Sequence, residues 1–150
     1  MKRILPFFLL LVGGFFFTLD RLLKHTVLQN PQTTYYLWKP WLGWEYFENT
    51  GVAFGIPLPW FAAFLYTPLI LGLVIWYYKK KKNIDWQLQL GVILIFFGAL
   101  SNLIDRMFYH ITIDYIRILT SIINIADVCI VLGVLLLLWS DRKKSYQQGL

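Results

Sequence analysis

Two carboxylates could do chemistry together. Asp114 stands in "ITIDYIRI" and Asp127 in "SIINIADVCIVLGVLLLLWS", each without an obvious local cation. A buried, unpaired carboxylate is expensive. Two that share a site cannot both ionise cheaply, so one keeps its proton while the other serves as a base, an arrangement that activates water. The competing reading is that Asp127 merely sits near the start of an apolar helix, where a negative charge suits the helix dipole.

Other polar residues are spaced to support such a pair. Asp20 and Lys24 are i, i+4 and can pair on one helix face. Gly98, Asn102 and Asp105 share a face with Arg106 beside them, and Asn124 lies i, i+3 from Asp127. The pairs Asp20–Lys24 and Asp105–Arg106 are expected to be ion pairs that orient a pocket. Asn102 and Asn124 could be interhelical hydrogen-bond glue or supports for the carboxylates, and both readings stay open. Asn49, followed by Thr50-Gly51, marks a turn near the pocket mouth. Rival nucleophiles are a Ser–Lys pair from Ser101 and Lys24, and a Cys–His pair from Cys129 with His25 or His110.

The elements that must position these residues are apolar. The 150 residues are 58% hydrophobic and 19% aromatic, with a mean hydropathy of +0.57, and the apolar residues fall in long blocks. This places the chain in the membrane class, as a single domain over residues 1–150. Four blocks, about 4–28, 60–78, 86–109 and 122–140, are each long enough to cross a hydrocarbon core. At ~1.5 Å per residue Asp20 and Asn102 lie ~24 Å along their spans, and Asp127 ~8 Å below the opposite end of its own. The three depths converge on one layer. A lone cysteine, Cys129, excludes an intrachain disulfide and a multi-cysteine zinc site.

Basic residues set the expected orientation. Lys2 and Arg3 precede the first span, Lys79 to Lys82 join the second and third, and Arg142, Lys143 and Lys144 follow the fourth. The net charge of +6 therefore reads as cytoplasmic loop positivity and not as a nucleic-acid surface. The fold class expected is an all-α membrane protein with four transmembrane helices and both termini cytoplasmic. Outer loops run over about 29–59 and 110–121. The first, "TTYYLWKPWLGWEYFENTGVAFG", is rich in interfacial aromatics. Strand-like stretches near Thr34–Trp38 and Trp44–Phe47 predict a small extracytoplasmic β-sheet lying on the membrane surface. Asp114 is expected on a short extended segment dipping toward the pocket.

Taken together, the motifs resemble those of the lipoprotein signal peptidase family (signal peptidase II) along essentially the whole chain. "LDRLLK" matches its first-helix motif through Asp20 and Lys24. "ENTGVAFG" resembles Asn-Thr-Gly-x-Ala-Phe through Asn49, Gly51, Ala53 and Phe54. "GALSNLIDR" resembles Gly-x-x-x-Asn-x-x-Asp-Arg through Asn102, Asp105 and Arg106. "IDY" resembles Val-Asp-Phe at Asp114, and "INIAD" resembles Phe-Asn-x-Ala-Asp through Asn124, Ala126 and Asp127. The departures (Phe97 for a Gly, Ile123 and Tyr115 for Phe) read as apolar swaps that touch packing and not chemistry.

The resemblance implies an aspartic endopeptidase of the bacterial cytoplasmic membrane with Asp114 and Asp127 as its catalytic dyad. It further implies diacylglyceryl-modified prolipoproteins as substrates, cut just before the lipidated cysteine, and inhibition by the cyclic peptide globomycin. No cofactor or metal is required. Membrane lipids are the expected surroundings, nucleic acid is not an expected partner, and the chain is expected to act as a monomer. Two rivals come from other classes. A proton- or ion-coupled transporter would use the intramembrane acids as a relay, and a non-enzymatic scaffold would leave the polar layer unexplained.

Overall fold

The computed structural model describes residues 4–51, 59–81 and 84–148; for 4, 60, 63 and 143–148 only the backbone is described. Four long helices carry a small sheet at one end. In chain order these are α1 (Ile4–Gln29), β1 (Tyr35–Trp38), β2 (Leu42–Asn49), α2 (Trp60–Lys80), α3 (Trp86–Tyr109), β3 (Thr112–Ile118), β4 (Ser121–Ile123) and α4 (Ile125–Gln148). Among the described residues, two helices, Leu5–Gln29 and Trp86–Tyr109, are long and apolar enough to cross a membrane.

Helix α3 is the hub and packs against α1, α2 and α4. It starts where Asp85 caps it, accepting the Leu88 N–H at 2.9 Å. It stops at His110, whose left-handed φ of 60° turns the chain into β3. Small residues set the α3–α4 approach. A Cβ on Gly98 would lie 2.6 Å from the Ala126 carbonyl, and one on Gly91 would lie 2.8 Å from that of Gly133. Without side chains at these positions the two backbones come close, as in membrane helix pairs. At the end remote from the sheet, Ser140 donates to Asp85 at 2.9 Å. Lys81 pairs with Asp141 at 2.6 Å there, and Tyr77 also bonds Asp141.

The four strands form one antiparallel sheet in the order β1-β2-β3-β4. The expected strands in the first loop are present. The second loop is mostly strand as well and completes the same sheet. The fourth apolar block therefore does not begin as a helix at Ile122: Ser121–Ile123 pair with β3, and the helix starts at Ile125. The hairpin satisfies those backbone groups in the sheet.

In β2 an irregularity between Trp44 and Phe47 shifts the register, so Phe47 faces Asp114 and Asn49 faces Thr112. Ile113 and Tyr115, fully buried, pack with Val27 of α1, and the Trp44 ring lies 4.9 Å from that of Tyr115. This contact seats the sheet on the helices and fixes where β3 delivers its polar side chain.

Candidate active site

Period-2 alternation sends Ile113 and Tyr115 to one side of β3 and Asp114 to the other. Asp114 is fully buried. Its Oδ2 accepts from Asn49 at 2.9 Å and its Oδ1 from Asn124 at 2.5 Å. Asn49 is braced in turn: its Oδ1 accepts the Gly51 N–H at 2.9 Å, the turn expected there.

Asp127 lies in the first turn of α4. Its N–H is donated to Asn124 Oδ1 at 2.8 Å, and its own Oδ1 accepts from Asn102 at 2.8 Å. Asn124 also donates to Asn102 Oδ1 at 3.2 Å. Asp114 and Asp127 are therefore joined through two asparagine side chains. The amides belong with the carboxylates and not with generic helix–helix glue.

Burial, and then the charge of Asp127, push the Asp114 carboxyl from its ordinary 3.8 up to about 7. The amide donors Asn49 and Asn124, and the Lys24 charge, act the other way.

Behind this pair lies a buried ionic layer. Lys24 Nζ stands 3.0 Å from Asp20 Oδ2 and 2.7 Å from Asp105 Oδ2, and it donates to Asn102 Oδ1 at 2.8 Å. Arg21 pairs with Asp105 as well. Two carboxylates and two cations thus neutralise one another, which buried charges require. Asp20 also accepts from Ser101 (2.6 Å), Tyr115 (2.7 Å) and the Ala126 N–H (3.2 Å). Asp105 accepts the Ile113 N–H at 3.2 Å. The layer binds α1 and α3 to both elements that carry the aspartates.

Several expectations are corrected by this geometry. Asp105 pairs with Lys24 and Arg21, not with its neighbour Arg106. The Arg106 guanidinium donates instead to Thr67 Oγ1 of α2 at 3.2 Å. Adjacent residues on a helix point about 100° apart, which separates the two side chains. Tyr115 is not an inert replacement for Phe, because its hydroxyl bridges Asp20 and the Ile125 N–H.

Ser101 gives its proton to Asp20 and not to Lys24, so the Ser–Lys geometry is missing. Cys129 is buried against Gly98, while His25 and His110 are exposed. Ala53 and Phe54 of the "ENTGVAFG" motif lie outside the described residues. Arg21, Ser101, Tyr115 and Thr67 were not predicted in these supporting roles. Only Arg21 and Ser101 carried a signal, as immediate neighbours of Asp20 and Asn102.

A cavity of about 390 Å³ opens beside Asp127 between α2, α3 and α4. Asn102, Arg106 and Thr67 are among the residues that line it, and Ile70, Ile95 and Val131 make much of the remainder apolar. A carboxylate pair with one member, Asp127, on the wall of an apolar cavity has the groups to hydrolyse a peptide bond presented from an apolar environment.

Known proteins share this plan. Residues 12–141 match the family described as Signal peptidase (SPase) II. A Bartonella henselae protein named "Lipoprotein signal peptidase" is 32% identical over 165 residues, covering 98% of this chain and 99% of its own. One of the same name from Lactococcus lactis is 32% identical, covering 91% and 93%. A solved structure titled "Bacterial membrane enzyme structure by the in meso method at 2.3 A resolution" superposes with a TM-score of 0.81 at 25% identity, over 91% of this chain and 88% of that one.

Proposed function

The chain belongs to the signal peptidase II family, and from that premise we propose that Asp114 and Asp127 are its catalytic dyad. The enzyme is a membrane aspartic endopeptidase that removes the signal peptide from diacylglyceryl-modified prolipoproteins. One observation carries the assignment of the dyad. Two aspartates from different elements are held on one pair of asparagines, and one of them, Asp127, lines an apolar cavity.

In this mechanism Asp114, pushed up to about 7, is the member that supplies the proton, and Asp127 is the base. The Asp127 carboxylate takes a proton from water, and the water oxygen attacks the scissile carbonyl carbon. Asp114 gives its proton to the carbonyl oxygen as charge develops there. When the tetrahedral adduct collapses, that proton returns to Asp114. The proton on Asp127 passes to the leaving amine, and both carboxyls regain their starting states. Asn102, Asn124 and Arg106 orient the dyad and the substrate backbone, while Asp20, Lys24 and Asp105 hold the supporting layer rigid.

The helices form four spans of a single 1–150 domain in the bacterial cytoplasmic membrane. Both termini are cytoplasmic, and the sheet and dyad lie toward the extracytoplasmic side. The clustering of lysine and arginine at Lys2–Arg3, Lys79–Lys82 and Arg142–Lys144 supports this orientation. The exposed Tyr35, Leu37 and Trp38 of β1 suit a sheet lying on the bilayer surface. The chain works as a monomer. A dyad at that depth meets a substrate whose acyl chains stay in the bilayer, and the anchor supplies proximity and orientation.

The test is cleavage of a diacylglyceryl-modified peptide by purified protein in detergent, with the products identified by mass. The parent should cut just before the lipidated cysteine, and Asp114→Asn should leave the peptide intact. Cleavage elsewhere, or only of the unlipidated peptide, would overturn the substrate reading.

A further inference from the structure

Arg106 stands out from the other buried cations. It is 8% exposed and lines the cavity, yet among the described residues no carboxylate lies within ion-pair distance of it. Lys24 and Arg21, by contrast, are neutralised within the ionic layer. A guanidinium carries five N–H donors in a rigid fork. Here the hydrogen bond it makes goes to Thr67 Oγ1 at 3.2 Å. Thr67 is itself 4% exposed and lines the same cavity. The contact joins α2 to α3 at the level of the dyad, because Asn102, one turn before Arg106 on α3, is the residue that holds Asp127.

Helix α2 is also locally weakened there. Pro68 follows Thr67 inside the helix and offers no N–H to the carbonyl one turn back. A tie at Thr67 therefore fixes both the guanidinium and this part of α2.

We infer that Thr67 is a positioning residue for substrate binding: its hydroxyl holds the Arg106 guanidinium against the cavity wall, leaving the other N–H donors for carbonyl oxygens of the substrate. This rests on the reading of Asp114 and Asp127 as the dyad. Thr67 does not touch the reacting atoms. It acts through Arg106, and through binding that is equal in ground state and transition state. Losing it should raise KM and leave kcat in place.

The test compares Thr67→Val, which keeps the shape and removes the hydroxyl, with Thr67→Ser, which keeps the hydroxyl. Steady-state cleavage of a fluorogenic diacylglyceryl-modified peptide in detergent micelles gives KM and kcat separately, and thermal unfolding of each variant checks the fold. Thr67→Val should raise KM about tenfold with kcat within about twofold, and Thr67→Ser should match the parent. The inference is overturned if Thr67→Val keeps the parent KM, if it lowers kcat alone, or if Thr67→Ser fails in the same way. Asp114→Asn, run alongside, keeps the two readings apart. An inactive Asp114→Asn with an unaltered Thr67→Val rejects the role of Thr67 only, whereas a fully active Asp114→Asn rejects the dyad.

Discussion

Asn124 donates from Nδ2 to Oδ1 of Asp114 at 2.5 Å. The same side chain accepts the N–H of Asp127 at 2.8 Å, so the residue that caps the helix of one aspartate also holds the other. Truncation to Asn124→Ala removes both restraints at once. Misplacing reacting groups by about 1 Å can cost ~10²-fold, and a loss of that order in kcat is expected. Steady-state kinetics of Asn124→Ala would show it, and a rate within twofold of the parent would count against the arrangement.

The position of Asp114 near 7 sets a pH dependence. In the proposed mechanism protonated Asp114 is the acid, so kcat should fall as pH rises through about 7. Asn49 stabilises the ionised form, and its removal should hold the proton more tightly. In Asn49→Leu the descending limb should therefore move to higher pH. Stability follows the same sign. The folded-state value lies above the ordinary 3.8, so the folded chain binds more protons in between, and the stabilisation this gives is lost as pH rises through about 7. A pH series of kcat and of thermal unfolding checks both.

Lys24 is the keystone of the ionic layer, fully buried between Asp20 and Asp105. Lys24→Met leaves two carboxylates with Arg21 alone. Breaking a buried pair by removing one partner costs about 3–5 kcal/mol. The variant should give little folded protein, read by size-exclusion recovery in detergent, and an unaltered unfolding temperature would contradict the claim.

The close approach of α3 and α4 makes a steric prediction. In Gly98→Ala the new Cβ would meet the Ala126 carbonyl at 2.6 Å, one residue before Asp127. Overpacking of this kind costs about 1–3 kcal/mol, and here it also displaces Asp127, so both stability and activity should drop. Gly14→Ala is the control, since a Cβ there meets nothing within 4 Å. It should behave as the parent in both measurements.

The helices and the polar layer were legible because apolar blocks and polar spacing are properties of the chain itself. The expected third span, 86–109, coincides with α3, and Asp20, through Lys24, joins Asn102, Asn124 and Asp127 in one network. The partners of the charges were less legible. Arg106 beside Asp105 reads as a pair along the chain, but the helical turn sends one to Thr67 and the other to Lys24. Tyr115 hid for a similar reason. It reads as an aromatic among isoleucines, and the use of its hydroxyl depends on Asp20, which is far away in sequence. Strand β4 was concealed by its apolar composition, because an Ile-rich stretch before a helix shows no period of its own.

The most direct measurement is the rate at which Asp114→Asn and Asp127→Asn cleave a diacylglyceryl-modified peptide, alongside unfolding curves that confirm each is folded. An amide can neither hold the shared proton as an acid nor take one from water, so each substitution should lower kcat by at least about 10³-fold. Both variants folded and nearly inactive is the predicted result. If either cleaves at the rate of the parent, Asp114 and Asp127 are not the catalytic dyad.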